Sequence, residues 1–554
     1  MAPQVVIVGA GPVGLTLAID LGKRNIRCLL VEQKAQPQFL PKMERCNART
    51  MEMFRRIGIA DAIRSGGLPS DIPMDVYFIR SMTKPPLLRL QYPSVDHARA
   101  QIAGVNDGSA PLEPYQLISQ YALEPILKHI AEAMPTVEIR YATEFLEFAA
   151  AEQGVIVTVR NASGAIETVG ADYLVGCDGG GSPVRRQLGI RLRGEGNVGK
   201  LRQGLFRCED LFGRLPMGEG PGRGRHYLLA TNRPVFMIMQ SSTRHWTVHA
   251  AVDSDEQMRR QFEQIVGAPV DYEMLYCEEW RQNLLLADRY QEGRVFLAGD
   301  AVHLVIPTGG LGMNSGVGDA FDLSWKLAAT LDGWGGPELL RSYEIERRQV
   351  GERVVGASRY ASAGYRKWLS HYSPAIDAET PEGAAARAAL AAIVDIEGRK
   401  ALEMIGAELG YRYVDSPVID HVPGGPEQTF RSYQPTAWPG ARLPHLWLSN
   451  KTALHDVIPT NGFTLLRLGG KTDTDSLVAA FAKRSVPLTV LDVSDQPAVK
   501  LYERSYLLVR PDLHVVWRGD SSPPDADELA AIAAGFGSRW AGARGLTSHA
   551  RAEI

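Results

Sequence analysis

Residues 4–32 read QVVIVGAGPVGLTLAIDLGKRNIRCLLVE, and they are the natural starting point for the fold. A short β-branched run over residues 4–8 is followed by glycines and then by apolar residues at helical spacing over residues 13–23. A second buried run, residues 27–31, comes directly afterwards. A strand, a helix and a second strand within about thirty residues predict a β-α-β unit of the Rossmann type, and hence an α/β fold.

The turn between the first strand and the helix is Gly9-Ala10-Gly11-Pro12-Val13-Gly14. Glycine permits a tight turn, a close approach of backbone N–H groups to a pyrophosphate, and close packing of the helix on the strand. Glu32 ends the second strand, where it can accept hydrogen bonds from a ribose. Because the strand, the helix and the acid have the required spacing, the motif predicts dinucleotide binding. It does not distinguish FAD from NAD.

Two further glycine-rich motifs follow strand-like runs. Cys177-Asp178-Gly179-Gly180-Gly181-Ser182-Pro183-Val184-Arg185 places an acid and a base at a strand end. From these residues alone, a β-turn held by an ion pair is an equal alternative. The third motif spans residues 293–316, with Asp300 at a strand end and a glycine-dense loop before a helix predicted over residues 315–331. Backbone amides at a helix N-terminus favour developing negative charge, such as that on a reduced flavin.

The remaining sequence predicts two more units. Residues 196–284 contain strand-like stretches separated by turn residues, which indicates a β-rich insertion that could cover a substrate. Five arginines in it (Arg202, Arg207, Arg223, Arg225 and Arg233) are expected to form a solvated face, with steering of an anionic substrate as the alternative. A Pro/Gly-rich connector at residues 423–440 precedes a separate α/β pattern in the last 110 residues.

Composition excludes several classes of function. The 554 residues carry a net charge of -3, so the basic footprint of a nucleic-acid-binding protein is missing. The five cysteines (Cys28, Cys46, Cys177, Cys208 and Cys277) have neither CxxC nor metal-ligand spacing. No signal peptide and no apolar run long enough to span a membrane is present in the sequence, so we expect a cytoplasmic protein that acts on a small molecule.

Taken together, the three motifs resemble those of the class A FAD-dependent aromatic hydroxylases, the family of p-hydroxybenzoate hydroxylase and phenol hydroxylase. The second motif is similar to the family's C-D-G-x-x-S-x-x-R fingerprint, and the third to R-V-F-L-A-G-D-A-x-H followed by P-x-G-G-x-G-x-N. Residues 47–52 (NARTME) and 409–413 (LGYRY) most resemble the phenol and chlorophenol hydroxylase branch.

The resemblance implies three domains. A discontinuous Rossmann-type FAD-binding domain, like that of p-hydroxybenzoate hydroxylase, would comprise residues 1–76, 105–195 and 285–375. A β-rich substrate-binding domain would comprise residues 77–104 and 196–284. A helical connector over 376–425 would lead to a thioredoxin-like domain over 426–554 that lacks the CxxC pair needed for thiol exchange.

The resemblance also implies the site residues. Those expected to bind FAD, with NADPH or NADH approaching beside them, are Gly9, Gly11, Pro12, Gly14, Glu32, Gln33, Arg49, Gln120, Asp178, Gly179, Arg185, Asp300, Pro307, Gly310, Gly312, Met313 and Asn314. Those expected to take part in catalysis are Arg45, Arg49, His226, Tyr227 and Pro307. No metal site is expected.

The activity implied is hydroxylation of a phenolic substrate with NAD(P)H and O2 through a flavin C4a-hydroperoxide, in a homodimer. A natural-product oxygenase of the Baeyer–Villiger or decarboxylating type, and a non-catalytic FAD-binding protein, remain alternatives. The W-x-W-x-I-P motif of flavin halogenases and the cysteine pair of disulfide reductases are both missing from the sequence.

Two positions depart from the family pattern. Ile306-Pro307 replaces the usual Pro-Pro, and Asp322 replaces the usual asparagine of D-A-x-N-L. Both are expected to touch the loop over the flavin.

Overall fold

The computed structural model describes residues 2–469 and 473–537. Its strands are, in chain order, β1 (Val5–Val8), β2 (Cys28–Val31), β3 (Arg45–Cys46), β4 (Val76–Ile79), β5 (Leu88–Leu90), β6 (Gln116–Leu117), β7 (Val137–Arg140), β8 (Glu144–Ala151), β9 (Gly154–Arg160), β10 (Ile166–Ala171), β11 (Tyr173–Gly176), β12 (Leu192–Arg207), β13 (His226–Leu229), β14 (Val235–Met239), β15 (His245–Ala250), β16 (Glu273–Ala287), β17 (Gln291–Glu292), β18 (Val295–Leu297), β19 (His303–Leu304), β20 (Phe463–Leu468), β21 (Leu488–Val493), β22 (Tyr506–Val509) and β23 (Val515–Gly519).

The helices are α1 (Pro12–Lys23), α2 (Ala48–Arg56), α3 (Ala60–Ser65), α4 (Val95–Ala103), α5 (Gln120–Glu132), α6 (Pro183–Gln187), α7 (Leu211–Arg214), α8 (Asp255–Val266), α9 (Gly312–Leu331), α10 (Pro337–Leu369), α11 (Pro381–Glu397), α12 (Ile405–Leu409), α13 (Leu454–Val457), α14 (Asp475–Lys483), α15 (Gln496–Tyr502) and α16 (Ala526–Ala534). Short 3-10 turns lie at Gly299–Ala301, Pro374–Asp377 and Gly398–Ala401.

The first sheet has the order β17-β18-β11-β1-β2-β7. Strands β18, β11, β1, β2 and β7 are parallel, and β17 pairs antiparallel at the edge. β1, β2 and β11 are entirely buried, as expected when helices cover both faces of a parallel sheet. The predicted Rossmann-type α/β fold is confirmed. Since the strands are parallel, the three glycine-rich motifs meet at one edge of the sheet.

The second sheet has eight strands in the order β19-β16-β12-β15-β14-β13-β4-β5. It confirms the predicted β-rich unit and takes β4 and β5 from a separate stretch of the chain. Its longest pair, β12 and β16, is antiparallel and was not identified in the sequence. Four glycines and five charged residues in β12 hide its alternation, because the middle of this ribbon is exposed on both faces. The domain boundaries given above stay a prediction.

The C-terminal unit is a four-stranded sheet of order β21-β20-β22-β23, with β20 and β21 parallel and the others antiparallel. α14 and α16 pack together against it, as expected for the thioredoxin-like fold. All five cysteines are free thiols that lie in the other units, so this unit has no dithiol chemistry. Trp325 of α9 packs edge to face on Phe463 of β20, with the ring centres 6.2 Å apart.

A buried network of charges joins the C-terminal unit to the first. Arg510 is fully buried and donates to Glu346 Oε1 (2.6 Å), Asp512 Oδ2 (2.5 Å) and Asp322 Oδ1 (3.1 Å). Lys326 Nζ lies 2.7 Å from Asp322 Oδ2 and 2.6 Å from Glu346 Oε2. The expectation that Asp322 touches the flavin loop is therefore wrong, because its carboxylate is used in this network.

Two helix boundaries differ from those predicted. α9 begins at Gly312 and not at residue 315, so the glycine-rich loop runs directly into the first turn. The Ala-rich composition of residues 384–409 also predicts a helix, and this stretch is divided into α11, a 3-10 turn and α12. Within residues 2–469 and 473–537, no helix combines the length and apolar composition that a membrane span requires, and no cluster of His, Cys, Asp and Glu could hold a metal.

Candidate active site

Four chain segments converge at the carboxyl edge of the first sheet. β1 leads into Gly9, β2 into Glu32, β11 into Asp178, and β18 through the 3-10 turn into Asp300. Because β1 lies between β2 and β11, the N-terminus of α1 begins in the middle of this edge. An open parallel sheet binds its ligands at this edge, so the motifs and the topology point to the same place.

The three glycines of the first motif have different surroundings. Close packing requires glycine at the two outer positions, Gly9 and Gly14, whereas the middle position, Gly11, borders open space. A Cβ atom at Gly14 would lie 2.0 Å from the carbonyl oxygen of Gly9, and one at Gly9 would lie 2.4 Å from the carbonyl oxygen of Cys177. Gly9 also has φ +105°, which favours glycine. A Cβ at Gly11 would meet nothing within 4 Å. The turn therefore leaves open space next to Gly11 in front of the helix N-terminus.

That space belongs to a cavity of about 740 Å³. Its wall contains 14 of the predicted site residues plus Arg45, together with Val8, Val31, Leu40 and other apolar groups. The predicted residues in the wall are Gly9, Gly11, Pro12, Glu32, Gln33, Gln120, Asp178, Gly179, Asp300, Pro307, Gly310, Gly312, Met313 and Asn314. The volume lies within the range of about 300–1,000 Å³ that is usual for small-molecule sites.

Acids at the strand ends give the cavity its polar groups. Glu32 accepts hydrogen bonds from the backbone N–H of Ala10 (2.9 Å) and Lys34 (2.8 Å), so its carboxylate is fixed beside the glycine turn. Asp178 Oδ2 accepts from Val184 N (3.1 Å), while its Oδ1 is buried without a partner among the described residues. Burial raises the pKa of Asp178 and of Asp300 above the ordinary aspartate value.

The loop before α9 is fixed by Asn314. Its Nδ2 donates to the carbonyl oxygens of Gly310 (2.6 Å) and Arg45 (3.0 Å), and its Oδ1 accepts from Asn47 N (2.8 Å). Arg45 in turn donates to Gly309 O at 2.7 Å. The glycine-dense loop, β3 and the start of α9 therefore form one rigid wall with backbone amides at the helix N-terminus.

A buried triad supports this wall from behind. Asp319 accepts from His303 Nε2 (3.0 Å), Arg347 Nε (2.8 Å) and the backbone N–H of Gly299 (3.0 Å). Arg347 and His303 hold the pKa of Asp319 below its ordinary value despite its burial. The ionised carboxylate thus holds the turn that carries Asp300.

Five predicted residues lie outside the cavity wall. Gly14 packs α1 on β1, and Arg185 donates to Ala301 O and Gly180 O (both 2.8 Å). Arg49 donates to Asp512 O (3.0 Å) in the C-terminal unit. Tyr227 is fully buried on the far face of the second sheet, where its hydroxyl donates to Gly222 O. His226 lies on the near face, with Nε2 3.9 Å from Glu44 Oε1. The roles assigned to these residues stay predictions.

Sequence reasoning missed several charged residues of the wall. Glu124, Lys42, Glu44 and Arg186 all line the cavity. Glu124 accepts from Gln120 Nε2 at 2.6 Å, so it extends the polar row begun by Gln120. The spacing could have revealed Glu124, because Gln120 and Glu124 are four residues apart and therefore share one face of α5. Lys42 and Glu44 lie in an irregular segment with no pattern to reveal them.

A parallel sheet whose glycine-lined edge encloses such a cavity defines a dinucleotide-binding flavoprotein fold, and comparison with known proteins agrees. A family model described as FAD binding domain matches residues 2–358, and one described as aromatic-ring hydroxylase, C-terminal, matches residues 436–543. The chain therefore belongs to the class A FAD-dependent aromatic hydroxylases. FAD is its cofactor.

Individual relatives match over most of their length. The chain is 33% identical to the FAD-dependent monooxygenase apdD of Emericella nidulans, over 97% of this chain and 91% of that protein. It is 29% identical to phenol 2-monooxygenase of Pseudomonas sp., over 95% and 91%. The solved structure of the rebeccamycin biosynthetic enzyme RebC with reduced flavin matches with a TM-score of 0.87 and 32% identity, over 97% of this chain and 99% of RebC.

Glu124 provides a test of the cavity's electrostatics. Burial raises its pKa to about 6, with the hydrogen bond from Gln120 acting in the opposite direction. Since the folded pKa lies above the unfolded one, this group's contribution to stability is fully present below about pH 4.5 and is lost as the pH rises through 6. We expect Glu124→Gln to stabilise the protein by up to about 2 kcal/mol at pH 8 and hardly at all at pH 4.

Urea denaturation at both pH values, at a fixed excess of FAD, measures this difference. Glu147→Gln is the matched control, since Glu147 is exposed and its substitution should change neither value. An equal effect of Glu124→Gln at pH 4 and pH 8 would show that the Glu124 carboxyl is not perturbed.

Proposed function

We propose that this enzyme hydroxylates an aromatic ring that carries a hydroxyl group, using O2 and NADPH or NADH. The observation that carries the proposal is the single cavity in which all three motifs meet, with Arg45, Glu44 and Pro307 at the end next to the second sheet. When bound there, FAD would accept hydride from NAD(P)H and activate O2.

The chain's own residues fit FAD. We assign the adenosine half to Glu32 and Gln33, the pyrophosphate to the open space beside Gly11, and the ribityl chain to Asp300. The unpartnered Asp178 Oδ1 offers an acceptor at the same edge. The backbone amides of residues 312–314 at the start of α9 would stabilise negative charge on the flavin ring. The other predicted wall residues complete this binding site.

His226 is the best-placed base for the substrate hydroxyl. Burial lowers its pKa well below the ordinary histidine value, so the ring is neutral and can accept a proton. Its Nε2 is buried without a hydrogen-bond partner among the residues described, and the nearest carboxylate is Glu44, which lines the cavity. A proton taken from the substrate by His226 could pass to Glu44 and from there to the cavity. A phenolate ring is richer in electrons than a phenol ring, so this transfer would favour oxygen insertion.

A second candidate is oxygenation of a larger fused-ring natural product. It is favoured by the similarity to RebC, described as a rebeccamycin biosynthetic enzyme, which exceeds the similarity to phenol 2-monooxygenase. The Baeyer–Villiger and decarboxylating reactions belong to this candidate. Dimer formation stays a prediction.

The experiment is NADH and NADPH oxidation against a panel of one-ring phenols and fused-ring hydroxyaromatics, with the mass of each product. Substrate-stimulated oxidation with a gain of one oxygen atom is the expected result. Stimulation by fused-ring compounds alone would select the second candidate. A flavoprotein whose NAD(P)H oxidation no aromatic compound accelerates would contradict both.

We expect His226→Gln to lower kcat by about a hundredfold or more at neutral pH, since general base catalysis contributes roughly 10²–10⁴-fold. The loss should diminish as the pH rises towards the pKa of the free substrate, because the substrate then ionises without help. A pH profile of kcat for both proteins measures this. His97→Gln, at an exposed histidine on α4, is the control. A loss that stays constant with pH would exclude the role of a base.

A further inference from the structure

Arg225 immediately precedes β13 and is one of four arginines, among the residues that the structure describes, with at most 2% of their surface exposed. The other three each have a carboxylate partner: Arg347 binds Asp319, Arg442 binds Glu52, and Arg510 binds Glu346. Arg225 has neither an ion pair nor a side-chain hydrogen bond within the described part of the chain, and its Nε is buried without a partner. The expectation that it belongs to a solvated face is therefore wrong.

The contacts of Arg225 are with rings and not with acids. Its guanidinium carbon lies 5.6 Å from the ring centre of Tyr92 and 5.6 Å from that of Tyr115. Asp75, which holds the Arg225 backbone, directs its own carboxylate to Arg89 and to Tyr92 N. Two aromatic faces stabilise a cation, but they leave the five N–H donors of a guanidinium without acceptors.

Arg225 is also close to the FAD cavity. The guanidinium of Arg45, which lines that cavity, lies 5.8 Å from the ring centre of the same Tyr115. Glu44, also in the cavity wall, is near enough to interact electrostatically with Arg225 but makes no ion pair with it. Arg225 thus contacts the same aromatic ring as Arg45, which belongs to the wall at which the flavin and the substrate would meet.

Polar atoms around Arg225 also lack partners among the described residues. They are Nε2 of the neighbouring His226, the hydroxyl of Tyr115 and, beyond His226, Nδ1 of His249. Burial lowers the pKa of both histidines, so these rings are neutral and add no positive charge beside Arg225. A buried cation beside neutral side chains, with no paired carboxylate among the described residues, is arranged for a ligand that brings negatively charged oxygen.

We propose that Arg225 is the residue that selects an anionic substrate: an aromatic compound whose carboxylate or ionised hydroxyl pairs with the Arg225 guanidinium between Tyr92 and Tyr115. This inference rests on the proposed function, since it places the substrate between the second sheet and the flavin. Both ligand groups offer the same chemistry, an oxygen anion that accepts charge-assisted hydrogen bonds from a planar fork.

The test measures the binding of small aromatic probes to the FAD-loaded enzyme. The change in flavin absorbance reports binding, so the result does not depend on turnover. The probes are 1-hydroxy-2-naphthoate, its methyl ester, and 2,4-dinitro-1-naphthol, which supplies an ionised hydroxyl without a carboxylate. The enzymes are the wild type, Arg225→Met and the control Arg223→Met. Arg223 is exposed and two residues away in the same loop.

We expect the wild type and Arg223→Met to bind the carboxylate or the ionised naphthol at least about tenfold more tightly than the ester, and Arg225→Met to lose that preference. A preference for the carboxylate over the naphthol, or the reverse, identifies which anion the site takes. Equal binding of acid and ester by the wild type, no binding of either anion, or a preference retained in Arg225→Met would overturn the proposal. Anion-selective binding without any hydroxylated product would instead contradict the proposed function and leave the role of Arg225 intact.

Discussion

The Gly14→Ala enzyme is expected to lose FAD affinity by about two orders of magnitude, the largest effect anticipated for a single methyl group in this chain. The added Cβ would lie 2.0 Å from the carbonyl oxygen of Gly9, and neither atom can move without displacing α1 from β1. Overpacking of this kind costs about 1–3 kcal/mol, and the displaced turn would also lose its alignment with the phosphates. FAD content after purification and titration of the apoprotein with FAD measure the loss.

Two alanine variants separate packing from ligand contact. Gly213→Ala is the matched control, since its Cβ would meet nothing within 4 Å and α7 lies away from the cavity. Gly11 has φ -72°, which alanine adopts without strain, so Gly11→Ala should fold normally and yet bind FAD more weakly because its Cβ faces the cavity. Wild-type FAD affinity in Gly14→Ala would contradict the role assigned to the first motif.

Replacement of Arg510 by methionine is expected to lower the free energy of unfolding by about 3–5 kcal/mol. The substitution leaves Glu346 and Asp512 buried with one cationic partner fewer, and the cost of an uncompensated buried charge exceeds the value of the pair itself. Because this network joins α9 and α10 to the C-terminal unit, the loss should appear in the urea midpoint measured by tryptophan fluorescence. Trp325 lies beneath the Arg510 guanidinium, at 5.2 Å, and reports on the same place.

Arg504→Met is the matched control for this prediction. Arg504 and Asp520 form an ion pair in which 43% and 60% of the side chains are exposed, and such pairs contribute less than about 1 kcal/mol. An Arg510→Met variant no less stable than Arg504→Met would mean that the buried network does not hold the C-terminal unit in place.

The sequence predicted those parts of the site that depend on backbone conformation. Gly9, Gly11 and Gly14 are fixed by local geometry, and Asp300 by its position after a strand, whereas Asp178 was assigned to the site through the family resemblance. β1 and β18 are far apart in the chain. The segments that follow them are nevertheless predicted to meet, because parallel strands present their carboxyl ends at one edge of the sheet. Hydrophobic periodicity predicted the β-α-β unit, the β-rich stretch and the α/β pattern of the last 110 residues, whereas the thioredoxin-like fold was implied by the family resemblance.

The sequence could not predict the roles of residues that depend on which side chains become buried in the tertiary structure. Arg225 looks like Arg223 in the sequence, yet one is buried and the other exposed, because the Arg225 guanidinium packs on the rings of Tyr92 and Tyr115. Asp322 was assigned to the flavin loop, and its true partners, Lys326 and Arg510, include a residue from the far end of the chain. Tyr227 and His226 are neighbours on a strand, so only knowledge of which face is inward could distinguish them.

The pairing of β4 with β13 has a consequence for recombination between relatives. β4 comes between β2 and β7 in the chain, yet it pairs in parallel with β13 near one edge of the second sheet. The second sheet therefore cannot be exchanged as one continuous cassette. A chimera that takes only residues 192–287 from another hydroxylase would join a foreign β13 to the native β4, and their side chains would have to match across a new seam. To change the second sheet by recombination, β4 and β13 must therefore be exchanged together. The alternative is to substitute single residues along the pairing of these two strands.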